Sequence, residues 1–173
     1  MNQTTTASTS VRVANSNLLQ NPYLEAATGS TPTCWLLGGY GTNTFTWTRS
    51  PDAHTGSFSE NLSVTSLTSG DRKFVNAQDS GTCSPAISVG HTYTVTAWYK
   101  STVQAFIFVY YRNSAGGWVY WTQSAKLAIA GSWTQAIFTT PVVHAGATNI
   151  SIGMGVDAVG SLTMDDFGLF FAN

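Results

Sequence analysis

From Asn17 onward the chain interrupts itself every several residues with Gly, Asn, Asp, Ser or Pro, and the runs between are short and rich in Val, Ile, Thr, Phe, Tyr and Trp. Runs of that length and character suit strands and leave no helix of useful length. The segments read as strands are Phe45 to Arg49, Ser57 to Ser66, Arg72 to Gln78, Thr92 to Lys100, Gln104 to Arg112, Trp118 to Thr122, Trp133 to Thr140, Asn149 to Val156 and Leu162 to Phe170. In Thr92 to Lys100, Tyr93, Val95, Ala97 and Tyr99 alternate with Thr94, Thr96, Trp98 and Lys100, giving one apolar face and one polar face that carries a single indole. In Arg72 to Gln78, where Lys73, Val75 and Ala77 stand against Arg72, Phe74, Asn76 and Gln78, the alternation is less clean. Many short strands with turn signals and no helices predict an all-β fold, a two-sheet antiparallel β-sandwich of jelly-roll type.

A chain of 173 residues that is 43% hydrophobic can bury a core of its own as one domain. Met1 to Ser16 is Ser/Thr-rich and aperiodic, and reads as a linker or cloning remnant ahead of a module spanning residues 17–173. No apolar run approaches the roughly 20 residues of a membrane span. Cys34 and Cys83 lie far apart with no neighbouring Cys or His to complete a zinc site, which makes a disulfide the better reading and two buried free thiols the alternative. A bridge implies an oxidising compartment and a secreted, extracellular protein.

Charge narrows the partner. Only 9% of the residues are charged, against about 25% in an ordinary soluble domain. The seven Lys and Arg are scattered and the net charge is −1, which leaves no basic footprint for nucleic acid and no attraction to anionic membranes. Aromatics, in contrast, make up 13%. Flat rings set among Asn, Gln, Thr and Ser offer apolar faces beside hydrogen-bonding groups, and a sugar ring presents the same combination in return.

The first candidate site is therefore the outward face of Thr94, Thr96 and Trp98, flanked by Arg72, Asn76 and Gln78. Neighbouring strands would add Tyr110 or Tyr111, Arg112, and Tyr120 or Trp121. Without the register, which member of each pair faces outward stays open. For any single Trp the competing reading is core packing. Catalysis is poorly supplied: the acids Asp52, Asp71, Asp79 and Asp157 fall at expected turns, and no nucleophile-elbow sequence accompanies His54, His91 or His144. Two alternatives stand beside sugar binding. One is a small lyase or hydrolase drawing on Tyr111, Arg112 and Arg72, and the other is an adhesion domain without a sugar site.

Three segments, Asn17-Leu-Leu-Gln-Asn-Pro-Tyr-Leu-Glu25, His91-Thr-Tyr-Thr-Val-Thr-Ala-Trp-Tyr-Lys100 and Leu162-Thr-Met-Asp-Asp-Phe-Gly-Leu169, resemble in order and spacing the carbohydrate-binding modules of the family four, nine and twenty-two type. The resemblance runs from Asn17 to the C-terminus. It implies a galactose-binding-like jelly roll without catalytic activity, acting as a monomer, attached to a secreted polysaccharide-active enzyme and binding a neutral polysaccharide or oligosaccharide. It also implies a structural calcium ion held by Glu25 and Asp165, with carbonyl oxygens from the turn Asp52-Ala-His-Thr-Gly-Ser57. The competing reading is that these carboxylates accept hydrogen bonds from backbone amides or pair with Arg or Lys.

Overall fold

Strands supply all the regular structure among the residues that the computed structural model describes, 16–79 and 81–172. Apart from Ser16, the expected linker lies outside the described residues. A small hairpin, β1 (Ala27–Thr28) and β2 (Thr31–Pro32), precedes ten longer strands. These are β3 (Trp35–Tyr40), β4 (Asn43–Ser50), β5 (Ser59–Leu67), β6 (Asp71–Asn76), β7 (Tyr93–Ser101), β8 (Phe106–Asn113), β9 (Trp118–Gln123), β10 (Ala130–Thr139), β11 (Ala147–Val156) and β12 (Gly160–Phe171). They form two five-stranded sheets, a first in the order β10-β7-β12-β5-β4 and a second in the order β3-β6-β11-β8-β9. Every pairing is antiparallel. The result is the expected jelly-roll sandwich.

Strand β3 was not among the predicted segments. Its sequence Trp-Leu-Leu-Gly-Gly-Tyr reads as a turn because glycine packs nothing on a pleated surface. It nevertheless pairs in register with β6, Leu36 opposite Val75 and Gly38 opposite Lys73, as an edge strand of the second sheet.

The core lies between the sheets. Tyr93, Val95, Ala97 and Tyr99 of β7 are all buried, as their alternation requires, and join Leu62 and Val64 of β5 with Leu162, Met164 and Leu169 of β12. The second sheet answers with Phe74, Ile107, Val109, Ile150, Ile152 and Met154. Trp35 stacks on Phe74 at 4.9 Å and donates its indole N–H to the Asn21 carbonyl at 3.0 Å, so this tryptophan is structural. Burying each such side chain stabilises the fold by about 1.5–3 kcal/mol. The disulfide Cys34–Cys83 is formed and ties the entry of β3 to the loop that follows β6.

One carboxyl group shares this interior. Glu60 falls on the same row of β5 as Leu62 and Val64, is fully buried, and meets Arg49 at 3.1 Å through Oε1, with the Trp47 side chain as a further hydrogen-bond partner of the carboxyl group. Burial outweighs the Arg49 attraction and pushes its pKa up to about 7. A folded pKa above the unfolded one means the native state binds the extra proton. The contribution to stability is then full below about 4.5 and is lost as pH rises through about 7. Glu60→Gln should remove this dependence, so that its stability relative to the parent improves by on the order of 3 kcal/mol between pH 4.5 and pH 8. Denaturant melts of both proteins across that range check it, and parallel pH profiles would contradict it.

Candidate functional site

The outer face of the second sheet carries a groove. Alternation that sends Ile107 and Val109 inward turns Phe106, Phe108, Tyr110 and Arg112 of β8 outward, and pairing with β9 sets Tyr120 beside Tyr110 and Trp118 beside Arg112. On the central strand β11, a methyl group added to Gly155 would come within 2.4 Å of the Arg72 carbonyl and 2.7 Å of the Phe108 ring. Glycine there lets Phe108 lie down on the backbone.

A depression of about 320 Å³ is lined by Tyr40, Asp71, Lys73, Phe108, Tyr110, Tyr120 and Gln123. Another of about 390 Å³ is lined by Asp79, Gly81, Ser84, Arg112 and Asn149. Tyr110 belongs to one and Arg112 to the other, and two residues along a strand span only about 6–7 Å. The two depressions therefore neighbour each other along the outer face of β8 and together make up the candidate groove.

The charges in the groove are internally paired. Lys73, only 5% exposed, lies 2.9 Å from Asp71 Oδ2, donates to the Tyr110 hydroxyl at 2.8 Å, and sits 4.0 Å over the Phe108 ring. Arg112 donates to Asp79 Oδ1 at 2.9 Å, and the Trp118 indole N–H donates to Asp79 Oδ2 at 2.9 Å. The Tyr120 hydroxyl donates to Gln123 at 3.0 Å, and burial, followed by the neighbouring Tyr110, pushes its pKa up, so it stays a neutral phenol. Exposed rings (Tyr40 at 67% and Tyr120 at 49%) thus stand beside paired carboxylates, amides and hydroxyls. Such a surface can stack on apolar ring faces and exchange hydrogen bonds with hydroxyl groups.

The structure divides the residues that the sequence grouped. Tyr110, Arg112 and Tyr120 share the groove, whereas Tyr111 and Trp121 turn to the other side, packed against the core and against His144 at one end. Arg72 does not flank the outward row: it points between the sheets, its guanidinium 4.2 Å over Phe45 and its Nε bonded to Asn43. Asn76 is fully buried, donating to the Cys83 carbonyl at 2.8 Å and accepting from the Ile152 amide at 2.6 Å. Gln78 lies in the loop beyond β6. Asp71, Lys73, Phe108, Asp79 and Gln123 were missed. For Lys73 the signal was the untidy alternation of residues 72–78, where both faces of the strand are covered; the other four carried none in the local pattern.

Trp98 needs a correction of place. Alternation puts it on the outward side of β7 as expected, but β7 belongs to the first sheet, so Trp98 cannot share a face with Tyr110, Arg112 and Tyr120. One side of its ring is covered by His54, stacked at 3.9 Å and 13°, and Trp133 stands edge-on to His54 at 5.8 Å. The His54 imidazole is bonded to Asp166, whose other oxygen accepts from the Thr55 hydroxyl at 2.6 Å. Trp98 therefore anchors the loop between β4 and β5. Trp98→Ala should lower stability by about 2–4 kcal/mol and leave glycan retention intact; thermal melts beside affinity electrophoresis check both, and lost retention without lost stability would reverse the assignment.

Glu25 and Asp165 converge on that same loop from opposite ends of the chain. Asp165, fully buried, accepts from the amides of His54 at 2.8 Å, Thr55 at 3.3 Å and Asp166 at 2.7 Å. Glu25 Oε1 accepts from the amides of Ser57 at 2.9 Å and Phe58 at 3.0 Å. Burial pushes the Asp165 pKa up to about 6 despite these amides. Among the described residues no three His, Cys, Asp or Glu side chains gather as a metal site. Two carboxylates held by the amides of one loop fit part of a calcium shell, and the remaining oxygens would have to come from carbonyls. Of these, the Asp52 carbonyl already accepts from the Ser59 hydroxyl at 2.8 Å.

No family model and no curated protein sequence matches the chain. Solved structures share its fold. The xylan-binding CBM22-1 domain from Paenibacillus barcinonensis Xyn10C superposes with a TM-score of 0.61 at 13% identity, over 91% of this chain and 96% of that one. The family 11 carbohydrate-binding module from Clostridium thermocellum, in complex with a β-1,3-1,4-mixed-linked tetrasaccharide, gives 0.56 at 11% identity, over 90% and 95%. The enzymatically active domain of bacteriophage CBA120 tailspike protein 4 gives 0.68 at 18% identity, over 90% of this chain but 21% of that one, so this chain spans about a fifth of its length. The architecture is the jelly roll that carbohydrate-binding modules adopt.

Proposed function

We propose that this chain is a non-catalytic carbohydrate-binding module that holds a neutral polysaccharide or oligosaccharide in the groove of the second sheet. Acting as a monomer outside the cell, it would keep an attached catalytic domain near that glycan, an effect of local concentration set by the linker. The groove itself carries the reading: aromatic rings along β8 and β9 alternate with carboxylate–cation pairs whose charges cancel. Neighbours of the same fold that bind xylan or a mixed-linked glucan fragment support the ligand class. Each acid in the groove, Asp71 and Asp79, is tied to a cation, which suits positioning of hydroxyl groups better than proton transfer. No described helix is long and apolar enough to cross a membrane.

Affinity electrophoresis against soluble xylan, mixed-linkage β-glucan and β-1,4-galactan, with reducing ends and unsaturated products assayed in parallel, tests the proposal. Retardation without product release is expected. Product release would select the lyase or hydrolase alternative, and a folded domain that binds none of a broad glycan panel would select the adhesion alternative.

The proposal includes a structural calcium ion at Glu25 and Asp165. Its support is that Asp165 is buried with no cationic side chain among the described residues bonded to it, and a cation there would balance the charge that three amides offset only in part. An ion bound to the folded state alone raises the melting temperature, so a chelator should lower it. An unchanged melting temperature, with no metal in the purified protein, would leave the amide bonds as the whole device.

A further inference from the structure

We propose that Asp71 sets the chemical selectivity of the groove, accepting a hydrogen bond from a neutral sugar hydroxyl and excluding glycans that carry carboxylates. The inference rests on the reading of the groove as a glycan site and goes one step past it, to the residue that decides which glycans enter.

The two partners in the Asp71–Lys73 pair are not equally satisfied. Lys73 has spent its ammonium on Asp71 Oδ2, the Tyr110 hydroxyl and the face of Phe108. Asp71 has spent only one oxygen: its Oδ1, almost wholly shielded from solvent, has no hydrogen-bond partner among the described residues, and the residue, 6% exposed, stands at the wall of the 320 Å³ depression. A buried carboxylate oxygen without a donor is costly, and a hydrogen bond to it is stronger than one between neutral groups. The donor that fits an aromatic-walled pocket is a hydroxyl group arriving with its ring stacked on Tyr110 or Tyr120. A uronate brings the opposite chemistry. Its carboxylate would meet Asp71 in a site where Lys73 is already neutralised and solvent screening is weak. Removing the Asp71 charge alone would leave the Lys73 ammonium unpaired, an inviting partner for an incoming carboxylate.

The test compares the parent with Asp71→Asn on soluble xylan, mixed-linkage β-glucan, β-1,4-galactan and polygalacturonate. The parent should bind at least one neutral polymer and not polygalacturonate. Asp71→Asn should lose at least tenfold in affinity for the neutral polymer and gain retention on polygalacturonate that disappears as salt is raised. A second measurement needs no variant: the neutral polymer that the parent binds is offered again after oxidation at C6, and affinity should fall at least tenfold, with the deficit narrowing at high salt. Parental affinity in a folded Asp71→Asn that gains nothing on polygalacturonate, or equal parental affinity for the oxidised and neutral polymer, would overturn the inference. A folded parent that binds no polymer would remove the glycan reading itself, and the inference with it.

Discussion

Replacing Tyr110 and Tyr120 together by alanine should lower affinity for the bound glycan at least a hundredfold while leaving the fold intact. The two rings stand at 5.9 Å in an edge-to-face pair on the outer face of the second sheet, and neither belongs to the core between the sheets. Each ring covered by a sugar contributes about 1.5–3 kcal/mol, and every 1.4 kcal/mol is a factor of ten in affinity. The cost to stability comes from the hydrogen bonds Lys73 to Tyr110 and Tyr120 to Gln123 and from the edge-to-face pair, about 1 kcal/mol each. Isothermal titration with the polymer that the parent binds, beside a thermal melt, separates the two effects. A folded double variant with parental affinity would mean that the groove is not where the glycan sits.

Removing the disulfide should produce the largest loss of stability. The bridge spans 49 residues, and closing a loop of that length restricts the unfolded chain by about 4 kcal/mol in the entropic model. For a domain of this size that corresponds to roughly 10 °C in melting temperature. The effect reaches the groove as well. Asp79 and Gly81 lie in the loop between β6 and Cys83, and Asp79 is the partner of both Arg112 and the Trp118 indole. Cys34→Ser with Cys83→Ser should therefore melt about 10 °C lower and bind glycan more weakly even well below its transition. A variant that melts with the parent, or two thiols labelled in the freshly denatured parent, would contradict this account.

The fold was legible because its signal is repeated. Tyr93, Val95, Ala97 and Tyr99 alternate strictly, and turn residues mark nearly every strand end, so sheet count and class followed from local pattern. Strand β3 escaped because Gly38 and Gly39 silence that pattern, and only its pairing with β6 shows it to be a strand. The site was legible in part. Composition pointed to rings beside neutral polar groups, and two ring pairs were singled out, but register decided that Tyr110 and Tyr120 face the groove rather than Tyr111 and Trp121. Trp98 illustrates the limit from the other side. Alternation reports that a side chain faces outward, not which sheet it leaves or whether a loop such as that of His54 returns to cover it. Asp71 and Lys73 become a site only when β6 is laid near Tyr110 across β11, a tertiary fact that no local period contains.

The central claim, that a neutral glycan binds on the outer face of the second sheet, is tested most directly by mapping backbone amide chemical shifts. The isotope-labelled domain would be titrated with xylo-oligosaccharides and mixed-linkage gluco-oligosaccharides. The account predicts saturable shifts confined to β6, β8 and β9 around Asp71, Tyr110 and Tyr120, with β4, β5 and the His54 loop unmoved; saturable shifts centred on Trp98 and Trp133 of the first sheet would contradict it.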